Sequence, residues 1–120
     1  MSEDIEKNET EAHIHRVVEE VEEERLRQIM EEGWTPDHDD HHDIGELALA
    51  AASYAASGAR QTGDDTVKMA TALWPFESIF RPSNFPRRDL IRAAALMIAE
   101  IERRDRAMLD SGKALDESDG

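Results

Sequence analysis

Between Asp37 and Ile44 the chain reads Asp-His-Asp-Asp-His-His-Asp-Ile, with Asp or His at seven of eight positions, and Glu46 follows two residues later. Carboxylate oxygens suit hard divalent cations such as Mg²⁺ and Mn²⁺, and added imidazole widens the choice to Fe²⁺ or Zn²⁺. Asp39 and Asp43 lie four apart, as do His42 and Glu46, while Asp43 and Glu46 lie three apart. If a helix starts at Asp40 or slightly earlier, these side chains stack on one face. Asp39, Asp43 and Glu46 are therefore candidate cation ligands. His38 and His42 are candidate catalytic groups that orient a substrate or carry a proton. The plainer reading stays open: acids ahead of a helix satisfy its unpaired N–H groups and its dipole without any metal.

Two further clusters have the residue types for phosphate chemistry. Glu19-Glu20-Val21-Glu22-Glu23 has the form E-E-x-x-E, and Glu102-Arg103-Arg104-Asp105 the form E-x-x-D. Glu20 and Glu23 are candidate ligands from the first of these strings. In a chain with 28 acids both strings also arise by accident, and a solvated helix face is the alternative. Arg87, Arg88 and Arg92, with Arg81 nearby, could grip phosphate or carboxylate through guanidinium forks. Equally, they could pair with the acidic first half of the chain, within the molecule or across a dimer. Nucleophilic catalysis has little support, because there is no Cys and no serine sits in an elbow or oxyanion context. No glycine-rich phosphate loop is present.

The elements that must position these residues are helical. Residues 1–12 are polar with little periodicity and read as a flexible lead-in. From His13 to Glu32, the apolar residues Ile14, Val17, Val18, Val21, Leu26, Ile29 and Met30 recur at helical spacing. Gly33 suits a left-handed cap, and Pro36 blocks continuation. Trp34 to Asp43 reads as a loop. A second helix is predicted from about Asp43 to Ser57, alanine-rich and central, with Gly58 as its stop. Asp64 or Asp65 would cap a short helix ending before Pro75. The stretch from Trp74 to Pro86, rich in proline and aromatics, reads as an ordered loop covering one end of the core. Pro86 suits the first turn of a third long helix running to Leu109, with Gly112 beyond it. The expectation is an all-α fold: three main helices plus a short fourth, one domain over 13–112, and a flexible tail over 113–120.

The 120 residues carry a formal net charge of −14, unevenly placed. Residues 1–57 hold 17 acids against 4 bases, and residues 58–120 hold 11 against 10. Such a surface disfavours direct nucleic-acid binding and anionic membranes, and suits divalent cations or basic protein patches. Solubility alone explains a charge excess as well. The absence of cysteine fits a reducing compartment, and no apolar run reaches membrane-spanning length, so the cytoplasm is the expected location.

With these residues in view, the chain resembles a widespread phage and prophage family. The likeness rests on Arg25-Leu26-Arg27-Gln28, Glu32-Gly33-Trp34-Thr35-Pro36, His38-Asp39-Asp40, His42, Gly45-Glu46-Leu47-Ala48 and Trp74-Pro75. It continues in Arg87-Arg88-Asp89-Leu90 and in Ala99 to Arg103. A remoter likeness is to MazG-type all-α nucleotide pyrophosphohydrolases, carried by Arg88 to Ala95 and Ile98 to Glu102. The inserted His/Asp loop departs from that pattern. What the resemblance implies is a protein, in the host cytoplasm if phage-encoded, that binds a divalent cation (Mg²⁺ or Mn²⁺) and a phosphorylated small molecule. Nucleotide hydrolysis is the implied reaction if it is an enzyme. The alternative is a non-catalytic acidic accessory protein that sequesters a host protein or a signalling nucleotide, or imitates DNA charge. Homo-oligomerisation is compatible with either.

Overall fold

The computed structural model describes residues 2–60 and 65–112, and among these there are five helices and no strand. They are α1 (Ser2–Glu31), α2 (Pro36–Asp40), α3 (Glu46–Gly58), α4 (Asp65–Leu73) and α5 (Pro86–Asp110). The all-α class and the three long helices expected from the sequence are present. The expected tail over 113–120 and a cap at Asp64 lie outside the described residues. None of these helices is long and apolar enough to cross a membrane.

Three boundaries differ from expectation. Residues 2–12 are not an irregular lead but part of α1, which runs unbroken from Ser2. Local ties support this part: the Thr10 hydroxyl donates to the Glu6 carbonyl, and Lys7 faces Glu11. The loop expected from Trp34 to Asp43 contains α2, because Thr35 and Pro36 also make a good helix start. Thr35 Oγ1 accepts from the His38 N–H at 3.2 Å, and Pro36 occupies the first turn, where its missing N–H costs nothing. Finally, α3 begins at Glu46 rather than Asp43. Gly45 precedes it with φ +94°, a left-handed conformation that glycine adopts without strain.

Helix α3 is the central element, as its alanines suggested. It packs mainly on α5 and then on α4, while α1 and α2 also rest on α5. Ala50, Ala51 and Leu96 form the centre, with Trp34, Tyr54, Trp74 and Phe76 packed against it. Small side chains let helix axes approach closely. At Gly58 a Cβ would come within 2.6 Å of the Leu90 side chain and 3.0 Å of the Pro86 carbonyl, so the end of α3 meets the start of α5 backbone to backbone.

The apolar centre is small, and buried charges complete it. Glu24, Arg25, Asp39, Asp89, Glu100 and Arg103 are all buried. Buried ions persist only when paired, so these residues must find each other. How they do so decides which groups remain for function.

Candidate functional site

The Asp/His segment does not form one ligand row. A row through Asp39, Asp43 and Glu46 needs a helix continuous from residue 40 to 46, and the chain leaves the helix at His41 and re-enters it at Glu46. Asp39 turns inward, fully buried, where its Oδ2 accepts from Arg25 Nη2 at 2.9 Å. Asp43 is exposed. Glu46 folds back over the start of α3, its Oε1 accepting from the Ile44 N–H at 2.9 Å and its Oε2 3.0 Å from His42 Nδ1. The hydrogen bond with His42, joined by the Ile44 and Glu46 N–H groups, outweighs burial and holds the Glu46 carboxyl below its ordinary pKa.

The two histidines are brought together. His38 and His42 stand with ring centroids 4.8 Å apart, between Trp34 at 5.0 Å from His38 and Phe76 at 5.2 Å from His42. Each imidazole is oriented through Nδ1 by a carboxylate: Asp39 Oδ1 at 3.2 Å and Glu46 Oε2 at 3.0 Å. Asp39 and Glu46 are thus positioning groups for the imidazoles. The aromatic row continues from Phe76 through Trp74 to Tyr54, over which Arg92 lies at 5.7 Å. Burial raises the Tyr54 hydroxyl pKa, with the Arg92 charge opposing it. The 74–86 segment thereby covers the core with its aromatics, as its composition suggested.

The arginine cluster adjoins the glutamates of α1. Arg87 grips Glu20 with both forks, Nη1 and Nη2 donating at 2.7 and 2.8 Å. Arg88 donates to the buried Glu24 at 2.5 Å, and Glu24 also receives Arg27 at 2.8 Å. Hydrogen bonding to Arg87 lowers the Glu20 pKa. At Glu24, burial pushes the pKa up, but Arg27 and Arg88 outweigh it and the carboxyl titrates low.

A cleft of about 710 Å³ opens beside these residues, lined by Glu20, Ser83, Asn84, Phe85 and the three arginines 87, 88 and 92. A smaller hollow of about 210 Å³ next to it is lined by Glu20, Glu23, Glu24 and Arg88. Of these three arginines Arg92 is the least committed: its nearest acid, Asp89, is 3.9 Å away, and its Nε is buried with no acceptor among the described residues.

The candidate residues therefore divide between two places. Glu20, Glu23, Arg87, Arg88 and Arg92 meet at the start of α5. Asp39, Asp43, Glu46, His38 and His42 gather toward its other end, where Arg25 joins Asp39 to Glu102 at 3.1 Å and Arg106 joins Asp40 at 2.9 Å. From Arg87 to Glu102 the axis of α5 rises roughly 22 Å. The five candidate cation ligands do not fit a preformed resident site. Among the described residues no three acids or histidines gather closely enough to hold an ion, and most of the carboxylates already receive arginine or imidazole N–H groups.

Four side chains have roles that the sequence did not assign to them: Arg25, Arg60, Asp89 and Phe85. Arg25 lies four after Val21 and three before Gln28, on the apolar side of α1, and a charge there requires a buried partner. Arg60 and Asp89 form a second buried tie. Arg60 Nη1 lies 2.7 Å from Asp89 Oδ2, and the same carboxylate accepts from Ser57 Oγ at 2.8 Å and the Ser83 N–H at 2.9 Å. Phe85, at the mouth of the cleft, is 71% exposed. No protein-family model matches this chain, and no curated protein or solved structure matches it either.

Proposed function

We propose that this chain binds a phosphorylated small molecule of nucleotide size in the cleft at the start of α5. The observation that supports this most is the arginine wall: Arg87, Arg88 and Arg92 line one cleft, and the Arg92 guanidinium has no carboxylate nearer than Asp89 at 3.9 Å. Guanidinium groups converging on one space suit an anion with several oxygens, such as a phosphate. The cleft volume falls within the ~300–1,000 Å³ usual for small-molecule sites. The exposed Phe85 ring offers a face for a base, and Ser83 and Asn84 offer polar groups beside it.

In the unliganded chain Arg87 and Arg88 are held by glutamates. Phosphate binding then proceeds by exchange, and Glu20 is the group that yields. Its side chain is 43% exposed, against 1% for Glu24, so water takes it up at little cost. Glu20, released, lies beside Glu23, and both face the ligand's phosphates. A Mg²⁺ or Mn²⁺ ion travelling with those phosphates would find its oxygen ligands there.

Binding without turnover is the reading we favour over MazG-like hydrolysis. The imidazole pair lies toward the far end of α5 from the arginines, so neither His38 nor His42 faces the cleft as a proton carrier. Sequestration of a signalling nucleotide, the non-catalytic alternative weighed from the sequence, needs only the cleft.

The test is calorimetry and thermal melting against nucleoside mono-, di- and triphosphates and cyclic dinucleotides, each with Mg²⁺ and with chelator, followed by product analysis. Saturable binding that weakens with salt and is lost in Arg92→Ala supports the proposal. Products would move the reading to hydrolysis. A panel without any saturable binding overturns both.

A further inference from the structure

Helix α5 has two apolar faces. One turns into the core through Ile91, Ala95, Leu96 and Ala99. The other looks outward: Leu90, Ala94, Met97 and Ile101 follow one another at spacings of four, three and four, the repeat of a coiled-coil seam. On this outer seam Leu90, whose inner edge packs against Gly58 of α3, Met97 and Ile101 are 47, 53 and 59% exposed. Beside it Ile98 meets Val17, Val18, Val21 and Leu26 of α1 along an apolar groove of about 440 Å³. In a chain with 35% charged residues, no charged side chain interrupts the seam between Leu90 and Ile101. Leu90, Met97, Ile98 and Ile101 of α5 and Val18 and Leu26 of α1 are each 38–59% exposed. Together they make an apolar face on the order of several hundred Å², the size at which an exposed patch marks an interaction site, where a standard interface takes ~800 Å² from each partner.

We propose that a second copy of this chain docks on this face, α5 against α5, antiparallel about a two-fold axis. The seam is complementary to its own reversal. With the axis passing between Ala95 and Leu96, Leu90 faces Ile101 of the second copy and Ala94 faces Met97, so a small side chain lies opposite a large one at the centre. The same register settles the charges at the ends. Arg87 and Asp105 lie on one side of α5, five full turns apart, so Asp105 of one copy comes within one residue, ~1.5 Å along the axis, of the level of Arg87 of the other, whose forks hold Glu20 in the single chain. Asp105 is exposed and makes no ion pair among the described residues. A foreign helix could cover the apolar seam, but nothing requires it to bring an acid to both ends. The two α1 helices flank the paired α5 helices, giving a four-helix centre. The dimer also sets Asp105 of the second copy at the edge of the Arg87 cleft.

The test uses the full chain, with mass measured by sedimentation equilibrium and light scattering. The wild type is expected at twice the 13.6 kDa chain mass, and Met97→Lys or Ile101→Glu at the single-chain mass with the helical circular dichroism retained. Arg87→Glu and Asp105→Arg each shift the mass toward the single chain, and the double exchange restores it. Because the chain has no cysteine, Met97→Cys provides a check that tolerates imperfect folding. It should form a disulfide-linked dimer on mild oxidation, whereas Met69→Cys, exposed on α4, which packs on α3, should not. A single-chain mass at every concentration, or a dimer that survives both Met97→Lys and Ile101→Glu, overturns the proposal. So does a seam that only a basic foreign helix occupies.

Discussion

Arg25 reaches from α1 to Asp39 on α2, fourteen residues further on, with Nη2 2.9 Å from Oδ2. The two side chains are 6% and 0% exposed. The same guanidinium donates from Nη1 to the Trp34 carbonyl and from Nε to Glu102 of α5. One side chain therefore fixes the turn after α1, the short helix carrying the histidines, and the long helix beneath both. Asp39 in turn orients His38. The Asp/His segment is held in place by this pair before any ligand is considered.

Removing one partner of such a pair leaves the other charge buried and unpaired, which costs about 3–5 kcal/mol. Arg25→Met is thus expected to lower the unfolding free energy by that amount. Arg25→Met with Asp39→Leu should recover much of the loss, since apolar replacements remove both charges. Urea unfolding of the two variants checks this. A cost below ~1 kcal/mol for Arg25→Met, the range of exposed ion pairs, would mean the pair does not organise the segment.

The second buried tie has a pH signature. Burial pushes the Asp89 carboxyl up, but Arg60, the Ser83 N–H and Ser57 outweigh it, so its folded pKa lies below the ordinary 3.8. The unfolded chain then takes up the proton first. The stability this carboxylate contributes is full above its unfolded pKa and is lost as pH falls through the lower folded one. The difference in unfolding free energy between wild type and Asp89→Asn should accordingly be constant from pH 8 to 5 and shrink below about pH 4. Using the difference cancels the general relief of repulsion in a chain of net charge −14. A difference that stays flat through that window would mean Asp89 titrates normally.

Cation dependence follows from the distribution of carboxylates. Glu20, Glu24, Asp39 and Glu46 already receive N–H groups from Arg87, Arg88, Arg25 and His42, and an ion would have to displace them. The unliganded protein is expected to melt at the same temperature in Mg²⁺ and in chelator. A Mg²⁺ effect should emerge only with a phosphorylated ligand present. A cation-dependent melting shift in the unliganded chain would instead require a resident site, and Glu46→Gln and Glu23→Gln would then locate it.

What the sequence made legible was what local spacing determines. The apolar period and Gly33 bounded α1 on its C-terminal side, Pro86 opened α5, and the alanines of α3 foretold its central place. Thr35-Pro36 was ambiguous, since the same two residues stop one helix and start another. Pairing was not legible at all. Nothing in the string around Glu20 says that its partner is Arg87, 67 residues away, and nothing around Asp39 distinguishes a cation ligand from an arginine's counter-ion. Those choices depend on how α1 crosses α5. The one available signal was Arg25 itself, a charge on an apolar stripe.

The N-terminal part of α1 tests how far local forces alone sustain structure here. Every residue from Glu3 to Arg16 is exposed, and the ties within this stretch are local, such as Lys7 to Glu11 at 3.9 Å. The Cα radius of gyration is 16.7 Å, against about 14 Å for a compact chain of this length, as an overhanging helix requires. A helix of 12–15 residues without packing is marginal in water, and an exposed ion pair adds only tenths of a kcal/mol. Deleting residues 2–12 should therefore reduce the helical signal at 222 nm while changing the unfolding free energy by less than about 0.5 kcal/mol. Amide exchange should be fast up to Ala12 and slow from Val21 onward, where the helix meets α5. A deletion that costs several kcal/mol would show that the overhang is packed against something in solution. Ile5, exposed at 51%, would then be the side chain to substitute next.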